Sequence, residues 1–475
     1  MTPKIPLVLV VFAILFTAIC ESGSGPQSSS VPGVRAANTA STTTLKNGDA
    51  TDRTLVDMDL FVAGEGGYSC YRLPNLVQLA TPGHILAVAQ GHKYDCSDGG
   101  RLDVVARRTE DNGRTWTSMQ LVYTESEPRA SVASATNWNE TVNVTLGTPS
   151  LVYDKATDVV FLFACRNFQS VLLLNSTDGG QSWSETPRDL TSELVAPDWT
   201  AVFTGLPQGI QLRSGRLLVC VNHGLHDGTT KSNTFFSDDH GTTWQVGKSV
   251  GPEHMGECSL AEVDIGTSFH STSNNNTNNL HSQAPTGVFM YARVWWDDSG
   301  SAPTAHNSTR ALTFSSDGGE TFAPGNTSAF PGNPSTDNQG AMISAKVRCK
   351  PNRSNTSRNG DAVTNACNEN GTATMLVVGS PWGVNHFPRQ NYSLLYSYVL
   401  STPNRGATAA ENNGLAPQLS AWKQMASADP LFAGPSEYSS LLWPTQDSST
   451  FFVCYERGGT GTAALRFTQL RFPDQ

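Results

Sequence analysis

Apolar and polar residues alternate in short runs along most of the chain, and Gly, Pro, Asn and Asp separate one run from the next. Runs of this kind predict half-buried β-strands joined by turns, because successive side chains of a strand point to opposite faces. The predicted strands are 74–79, 85–89, 148–153, 159–164, 209–212, 217–221, 288–294, 374–378, 394–400, 439–443, 451–455 and 465–470. No long helical period interrupts this pattern, so the chain is predicted to be all-β.

An eight-residue turn motif occurs four times, each time after an apolar run. The copies begin at Thr109, Ser176, Ser237 and Ser315 and read TEDNGRTW, STDGGQSW, SDDHGTTW and SSDGGETF. Each has Asp at its third position and Gly at its fifth, where a tight turn needs a side-chain acceptor and a positive φ. We expect the aromatic residue at the eighth position to anchor each turn to the core.

The spacing of the four motifs predicts how the strands are organised. They recur roughly every 60 to 80 residues, which is enough for four short strands and their loops. Such a repeat predicts a six-bladed β-propeller that forms one continuous domain over 55–475. Two of its six blades would then lack the motif.

Residues 1–54 do not follow the strand pattern. Lys4 precedes an apolar run that is short for a membrane span and typical of a secretory signal peptide, predicted here over 1–20. An uncleaved anchor is the alternative. The segment 21–54 is poor in large apolar residues and is predicted to be a flexible leader. N-x-Ser/Thr sequons, for example at Asn139 and Asn307, agree with a secretory route.

Charge and composition exclude several kinds of partner. The formal net charge of −10 argues against nucleic acid, which would need a basic binding face. No other segment approaches the length of a membrane span, so no stable span is expected. Neither a CxxC motif nor a histidine spacing typical of zinc sites occurs, and no metal or other cofactor is expected. Protein partners are left open by the sequence.

The motif Tyr71-Arg72-Leu73-Pro74 precedes the four turn motifs. This order resembles the sialidase (neuraminidase) family, in which an (F/Y)-R-(I/L)-P motif lies ahead of repeats called Asp boxes. The strings GPSEYSSL around Tyr438 and ECSLAE from Glu257 look like the vertebrate lysosomal branch. The Asp box alone indicates only a fold, since it also occurs in sortilin-type receptors and some endoglucanases.

The resemblance implies three arginines that bind the carboxylate of a sialic acid. Arginine suits this task because it stays charged and donates two parallel hydrogen bonds to a carboxylate. The positions that match the family are Arg72, Arg293 and Arg389. Arg293 lies on the predicted strand 288–294, whereas Arg389 lies in a less specific motif.

The resemblance also implies a tyrosine nucleophile. A carboxylate nucleophile would be repelled by a substrate that carries a carboxylate on its anomeric carbon, whereas a neutral tyrosine beside a glutamate would not be. The matching positions are Tyr438 as the nucleophile and Glu257 as its base. Glu262, five residues further along the chain, is the alternative base.

An acid/base carboxyl on a loop completes the expected site. Asp98, followed by two glycines, is the preferred residue, and Asp95 and Asp103 are alternatives. Glu456 resembles the carboxylate with which the family holds its first arginine in position. Its alternative role is an exposed salt bridge to Arg457.

Eight cysteines follow Cys20, an even number that an oxidising compartment would allow to pair. We expect Cys349 and Cys367 to close a polar surface loop. A Cys70–Cys96 bridge, if formed, would tie the Arg72 segment to the Asp98 loop. The cysteines expected to be buried thiols, because they end apolar strands, are Cys165, Cys220 and Cys454.

The resemblance therefore implies an exo-α-sialidase. Its expected substrates are sialylated glycans of glycoproteins, gangliosides and oligosaccharides, in the lysosomal lumen or outside the cell. A propeller lectin or receptor that binds such glycans without cleaving them is one alternative. A trans-sialidase, which would pass the sialic acid to another sugar, is the other.

Overall fold

The computed structural model describes residues 54–125, 144–205, 207–251, 254–265, 286–295, 308–325, 339–348, 366–367, 372–381, 390–400, 417–425, 431–444, 449–458 and 464–472. The chain divides into two compact units, Met1–Gly48 and Asp49–Gln475, and all described residues lie in the second. The predicted signal peptide, and all but the last residue of the predicted leader, therefore lie outside the described residues.

Antiparallel strands form the first three blades of a propeller. The chain begins with β1 (Thr54–Val62), which belongs to the last blade, and a short 3-10 turn (Glu65–Gly67). Blade 1 contains β2 (Cys70–Gln78), β3 (Ile85–His92), β4 (Leu102–Thr109) and β5 (Gln120–Tyr123). Blade 2 contains β6 (Leu146–Asp154), β7 (Val159–Arg166), β8 (Ser170–Ser176) and β9 (Arg188–Asp189). After a one-turn helix α1 (Thr191–Leu194), blade 3 contains β10 (Trp199–Thr204), β11 (Ile210–Gln211), β12 (Leu217–Leu225), β13 (Thr230–Ser237) and β14 (Gln245–Val246).

Three further blades complete the ring. Blade 4 contains β15 (Met255–Asp264), β16 (Thr286–Trp295) and β17 (Ser308–Ser315). Blade 5 contains β18 (Ala341–Arg348), β19 (Thr372–Pro381), β20 (Gln390–Tyr398) and β21 (Lys423–Gln424). Blade 6 contains β22 (Phe432–Leu442), β23 (Thr450–Arg457) and β24 (Ala464–Arg471). The predicted all-β, six-bladed propeller is confirmed, and every predicted strand overlaps an observed one.

The first described strand closes the last blade. β1 pairs antiparallel with β24, from Thr54 opposite Leu470 to Val62 opposite Ala464. Arg466 on β24 reinforces this pairing, because its guanidinium lies 2.5 Å from a carboxylate oxygen of Asp57 and 2.9 Å from one of Asp59. Blade 6 is thus completed by strands from opposite ends of the domain, which closes the ring.

Each Asp box packs against the preceding blade. The aromatic residue of the first box, Trp116, meets Phe467 of blade 6 with ring centroids 5.0 Å apart, and Trp244 of the third box meets Phe163 of blade 2 at 4.7 Å. The box glycines fit equally closely: a Cβ added to Gly113, at φ +83°, would lie 2.2 Å from the Phe467 ring. The aromatic residues thus anchor the boxes to the core, as predicted, and the boxes also join neighbouring blades.

The second Asp box shows why its aspartate is needed. Asp178 accepts hydrogen bonds from Ser182 N at 2.9 Å, Ser182 Oγ at 2.6 Å and Ser176 Oγ at 2.8 Å. Asp178 is exposed, and although desolvation disfavours its carboxylate, these bonds together outweigh that effect and lower the pKa of Asp178 to about 2. Such a group stabilises the fold above the ordinary carboxyl pKa of 3.8 and loses this effect as the pH falls toward 2.

We expect Asp178→Ala to lower the free energy of unfolding by about 1–2 kcal/mol at pH 7, because it removes these hydrogen bonds from a turn that is partly solvated. Urea unfolding at pH 7 measures the loss. The matched control is Thr177→Ala, an exposed neighbour in the same box, which should change stability by less than about 0.5 kcal/mol. Equal effects of the two substitutions would contradict the role given to the carboxylate.

A buried histidine predicts how stability depends on pH. His223 in β12 stacks on Trp199 with ring centroids 3.9 Å apart, and burial lowers the pKa of His223 from 6.5 to about 4. Between these values the unfolded chain binds a proton that the folded chain does not. As the pH is lowered, the free energy of unfolding should therefore decrease by up to about 1.4 kcal/mol per pH unit because of this group. We expect His223→Gln to reduce that slope between pH 7 and 5, and urea unfolding that gives an unchanged slope would contradict the assignment.

The cysteines correct one prediction. Cys220 is not a free thiol: it forms a disulfide with Cys258 and joins β12 of blade 3 to β15 of blade 4. The prediction was wrong because a strand-end cysteine pairs according to which blade lies beside it, which local sequence does not reveal. Cys165 and Cys454 are buried thiols, as predicted. Cys367 is disulfide-bonded, whereas its predicted partner Cys349 lies outside the described residues.

Candidate active site

The inner strands of the blades contact one another around the axis, as β2 does with β6 and β22, and β15 does with β18. Side chains bridge these inner strands: Asn75 Nδ2 donates to the carbonyl oxygen of Pro149 at 2.8 Å, and Ser440 Oγ accepts the Leu76 N–H at 3.0 Å. These bonds fix the inner strands relative to one another, so residues from distant parts of the sequence meet at fixed distances.

Four inner strands contain a shift in their pairing register. The shifts lie between Arg72 and Asn75 in β2, Gly147 and Ser150 in β6, Met255 and Cys258 in β15, and Ser436 and Ser439 in β22. A bulge of this kind turns side chains out of the alternating pattern and often lies beside an active site. Arg72, Glu257 and Tyr438 lie at or within three of these bulges, so the irregular backbone directs them toward one another.

Tyr438 and Glu257 form the central pair of the site. The Tyr438 hydroxyl donates to Glu257 Oε1 at 2.7 Å, and Arg293 Nη1 donates to Glu257 Oε2 at 2.9 Å. Tyr438 and Arg293 are 8% and 7% exposed, so both bonds are shielded from water on most sides. A phenol bound to a carboxylate that is itself held by a guanidinium has the geometry of a nucleophile beside its base.

Arg72 lies at the centre of a cluster of carboxylates. Its Nη1 lies 2.6 Å from Asp98, its Nη2 3.1 Å from Glu437 and its Nε 3.4 Å from Glu456. Burial alone would lower the pKa of Arg72, but the three carboxylates outweigh burial and hold this pKa well above its ordinary value. The guanidinium also lies 5.2 Å from the ring centre of Tyr438, so the cluster adjoins the Tyr438–Glu257 pair.

Glu456 holds both the side chain and the backbone of the Arg72 segment. It is fully buried, and its Oε1 accepts the N–H of Leu73 at 2.9 Å. Leu73 adopts φ +56°, a left-handed conformation that is costly for a non-glycine residue. Arg457, by contrast, lies 3.4 Å from Asp59. Glu456 is therefore buried against the Arg72 segment, and an exposed pairing with Arg457 does not describe it.

The alternative carboxylates have other partners. Glu262 accepts the Arg213 N–H at 3.1 Å, so Glu257 and not Glu262 adjoins the tyrosine. Asp103 is buried and accepts from the Tyr68 hydroxyl at 2.9 Å. Asp95 accepts the N–H of Ser97 at 2.9 Å within its own turn. Among the three candidate aspartates, Asp98 is the one whose contact with Arg72 brings it to the site.

The Asp98 loop is tied to the Arg72 segment by a disulfide. Cys70 and Cys96 are bonded, with Cα atoms 5.7 Å apart. Each cysteine precedes its site residue by two positions, so the bridge holds the two segments together. The Asp98 side chain itself is 72% exposed, in keeping with a group that can change partners. The bridge considered from the sequence is therefore present.

Two residues of the site were not predicted from the sequence. Glu437 is buried beside Arg72, and its position within GPSEYSSL, next to Tyr438, was the available indication. Arg310 is 1% exposed, lies opposite Arg293 in the β16–β17 pairing and donates to Ser380 Oγ at 3.2 Å. Burial lowers the pKa of Arg310. A charged residue inside the apolar run of β17 was the signal that could have identified it.

Arg389 lies outside the described residues, so its place in the site stays a prediction. Within the described part of the chain, no group of three or more His, Cys, Asp or Glu side chains could hold a metal ion. No helix in that part is long and apolar enough to cross a membrane.

Comparison with known families identifies the kind of protein that carries this site. A family model described as a BNR repeat-like domain matches residues 83–359, more than half of the chain. The chain belongs to the BNR repeat-like family. The matched segment contains all four Asp boxes together with Asp98, Glu257 and Arg293, whereas Arg72 and Tyr438 lie outside it.

Curated relatives of this BNR repeat-like protein are sialidases, which confirms the resemblance seen in the motifs. It is 30% identical to Sialidase of Micromonospora viridifaciens over 219 residues, which cover 41% of this chain and 31% of the relative. It is 32% identical to Sialidase-4 of Homo sapiens over 226 residues, which cover 41% of this chain and 43% of the relative. The matched part thus spans less than half of the length of either relative.

Solved structures place the BNR repeat-like protein in the same fold. Superposition on the Hadza microbial sialidase Hz136 gives a TM-score of 0.58 at 19% identity and covers 87% of this chain and 68% of that one. The Trypanosoma rangeli sialidase gives a TM-score of 0.57 at 14% identity and covers 87% and 59%. At these identities the likeness shows the propeller fold.

Proposed function

We propose that this protein is an exo-α-sialidase that hydrolyses terminal sialic acids with retention of configuration through Tyr438. The observation that carries the proposal is the 2.7 Å hydrogen bond from the Tyr438 hydroxyl to Glu257 beside two buried arginines, Arg72 and Arg293. The sialidase relatives support the substrate class.

The first chemical step uses the Tyr438–Glu257 pair. The Tyr438 oxygen bonds to the anomeric carbon while the glycosidic C–O bond breaks, and the phenol proton passes to Glu257. Asp98 gives a proton to the departing sugar oxygen. A neutral phenol approaches the anionic centre without the repulsion that a carboxylate would meet, and its proton already points at a base.

The second step regenerates the protein. Asp98, now a carboxylate, takes a proton from water, and the resulting hydroxide attacks the anomeric carbon. The bond to the Tyr438 oxygen breaks, and Glu257 returns the proton to the phenolate. Two displacements at one carbon restore the original configuration.

Substrate binding requires an exchange at Arg72. Asp98 accepts from Nη1 of Arg72 at 2.6 Å, and the carboxylate of the sugar would take this position. The exchange frees Asp98 for proton transfer at the moment when the substrate is bound. Arg293 and Arg389 are proposed to bind the same carboxylate. Glu456 keeps Arg72 in place from the opposite side.

The proposed substrates are sialylated glycoproteins, gangliosides and oligosaccharides. The proposed location is the secretory route, in the lysosomal lumen or outside the cell, since the N-terminal segment is typical of a signal peptide and the Cys70–Cys96 and Cys220–Cys258 disulfides suit an oxidising compartment. No step in the proposed mechanism uses a metal or cofactor.

The proposal can be tested by assaying the purified full chain for activity on 3′-sialyllactose and on a 4-methylumbelliferyl sialoside between pH 4 and 7. We expect release of sialic acid, and proton NMR should show that the α-anomer forms first. Binding of sialic acid without release by folded protein would favour the lectin alternative. Transfer to added lactose in place of hydrolysis would favour a trans-sialidase.

A further inference from the structure

A buried histidine lies beneath the loop that carries Asp98. His92 ends β3 and is fully buried. Its Nδ1 lies 3.0 Å from the carbonyl oxygen of Ser97, the residue immediately before Asp98. Burial and the nearby charge of Arg72 lower the pKa of His92 to about 4, so the ring is neutral at higher pH. Because a carbonyl oxygen only accepts, Nδ1 carries the proton and donates a hydrogen bond to the Ser97 carbonyl oxygen.

The other edge of the imidazole faces Gln90, which is 3% exposed. His92 Nε2 lies 3.1 Å from Gln90 Oε1, and Gln90 Nε2 donates to the carbonyl oxygen of Leu146 in β6 at 3.1 Å. With its proton on Nδ1, the neutral ring has an acceptor at Nε2, which forms no hydrogen bond with the acceptor Oε1. The hydrogen bond to Ser97 is therefore the polar contact through which His92 acts on the Asp98 loop.

Two more contacts hold the loop in place on either side of Asp98. Cys96 is tied to Cys70, and the Gly100 carbonyl accepts from Thr145 Oγ1 at 2.8 Å. Backbone anchors thus lie on both sides of Asp98, while its side chain stays exposed. Such an arrangement lets the carboxyl rotate without letting its Cα move far.

We propose that His92 is a positioning residue that places the Asp98 carboxyl for proton transfer through its hydrogen bond to Ser97. This inference rests on the proposed role of Asp98 as acid and base. After a substrate carboxylate has replaced Asp98 at Arg72, the Asp98 carboxyl must move to the glycosidic oxygen to transfer its proton. The Ser97 anchor limits the range over which the carboxyl can move.

Leaving-group dependence separates positioning from general damage. A sugar alkoxide needs a proton as it leaves, because its conjugate acid is weak, whereas an aryl leaving group departs as a stable phenolate. Misplacing Asp98 should therefore slow 3′-sialyllactose hydrolysis and spare the 4-methylumbelliferyl sialoside. Loss of folded protein would lower both activities equally.

We expect His92→Leu to lower kcat on 3′-sialyllactose by about 10²-fold and on the aryl sialoside by less than about 3-fold. His92→Asn, which retains an N–H near Nδ1, should restore most of the difference. Asp98→Ala should show the same preference, and adding His92→Leu to it should cause no further loss, since both changes act through one group. The matched control is His223→Leu, a buried histidine in blade 3, which should affect the two substrates alike.

Equal losses on both substrates, or additive losses in the Asp98→Ala background, would overturn the inference. Hydrogen exchange of the 93–101 peptide provides a readout that needs no activity: His92→Leu should speed its exchange, and His92→Asn should not. Unchanged exchange in His92→Leu would overturn the inference, whether or not the wild type cleaves either substrate. Cleavage of neither substrate by the wild type would refute the proposed hydrolysis, and the exchange experiment would still test the role of His92.

Discussion

Tyr438→Phe is expected to lower kcat on sialosides by about 10³-fold or more, with a small change in KM. The substitution removes one oxygen atom and leaves the ring, which is 8% exposed, in its packing site. Glu257 keeps its 2.9 Å contact with Arg293, so the charge of the pocket is unchanged. What is lost is the atom proposed to bond to the anomeric carbon.

Steady-state kinetics on the aryl sialoside measure this effect, because its good leaving group makes the result depend least on Asp98. The control is Tyr153→Phe: Tyr153 is 6% exposed and donates to the carboxylate of Asp158 at 2.6 Å, on blade 2. The Tyr153→Phe variant loses the same kind of hydroxyl–carboxylate hydrogen bond but leaves the residues of the candidate active site unchanged. Comparable activity in the two variants would rule out Tyr438 as the nucleophile.

Arg72→Ala is expected to lower the free energy of unfolding by about 3–5 kcal/mol at pH 7.5, as well as abolishing turnover. Glu456 is fully buried and Glu437 is 4% exposed, so both would keep charges in the interior without the guanidinium that now lies between them. The substitution removes the ion pairs that now offset the burial of these two carboxylates.

The sign of the pH dependence follows from the same charges. Protons neutralise carboxylates as the pH falls, so removing a cation from a cluster of buried carboxylates costs less stability at low pH than at high pH. The deficit relative to wild type should thus be smaller at pH 5 than at pH 7.5.

Urea unfolding at the two pH values measures this deficit. Arg457→Ala is the control, since Arg457 is partly exposed and lies 3.4 Å from Asp59 in a surface pair worth less than about 1 kcal/mol. A deficit for Arg72→Ala that is equally small, or that does not change with pH, would show that the carboxylates are not held by this arginine.

Local sequence was sufficient to predict the repeating elements. An Asp box stabilises itself within eight residues, as when Asp178 binds Ser176 and Ser182, so its sequence implies its structure wherever it occurs. The alternation of apolar residues predicted most strands for the same reason. The family resemblance supplied Tyr438, Glu257 and Arg72, which the structure brings together.

The parts that could not be predicted depend on contacts between distant residues. Arg72 and Glu456 are 384 positions apart, and the bulges that direct them depend on the register between neighbouring strands. Glu437 differs from an ordinary strand residue only because β22 lies beside β2. The Cys220–Cys258 bond likewise follows from the adjacency of blades 3 and 4.

The pairing of β1 with β24 has a consequence for the protein during its synthesis. Arg466 and Asp57 are 409 positions apart, so at about 5–20 residues per second a ribosome needs roughly 20 to 80 seconds to make the partner of β1. During that time β1 is an exposed edge that could pair with another nascent chain. Its alternating Asp57 and Asp59 repel such partners, and the same two charges later receive Arg466 when the ring closes.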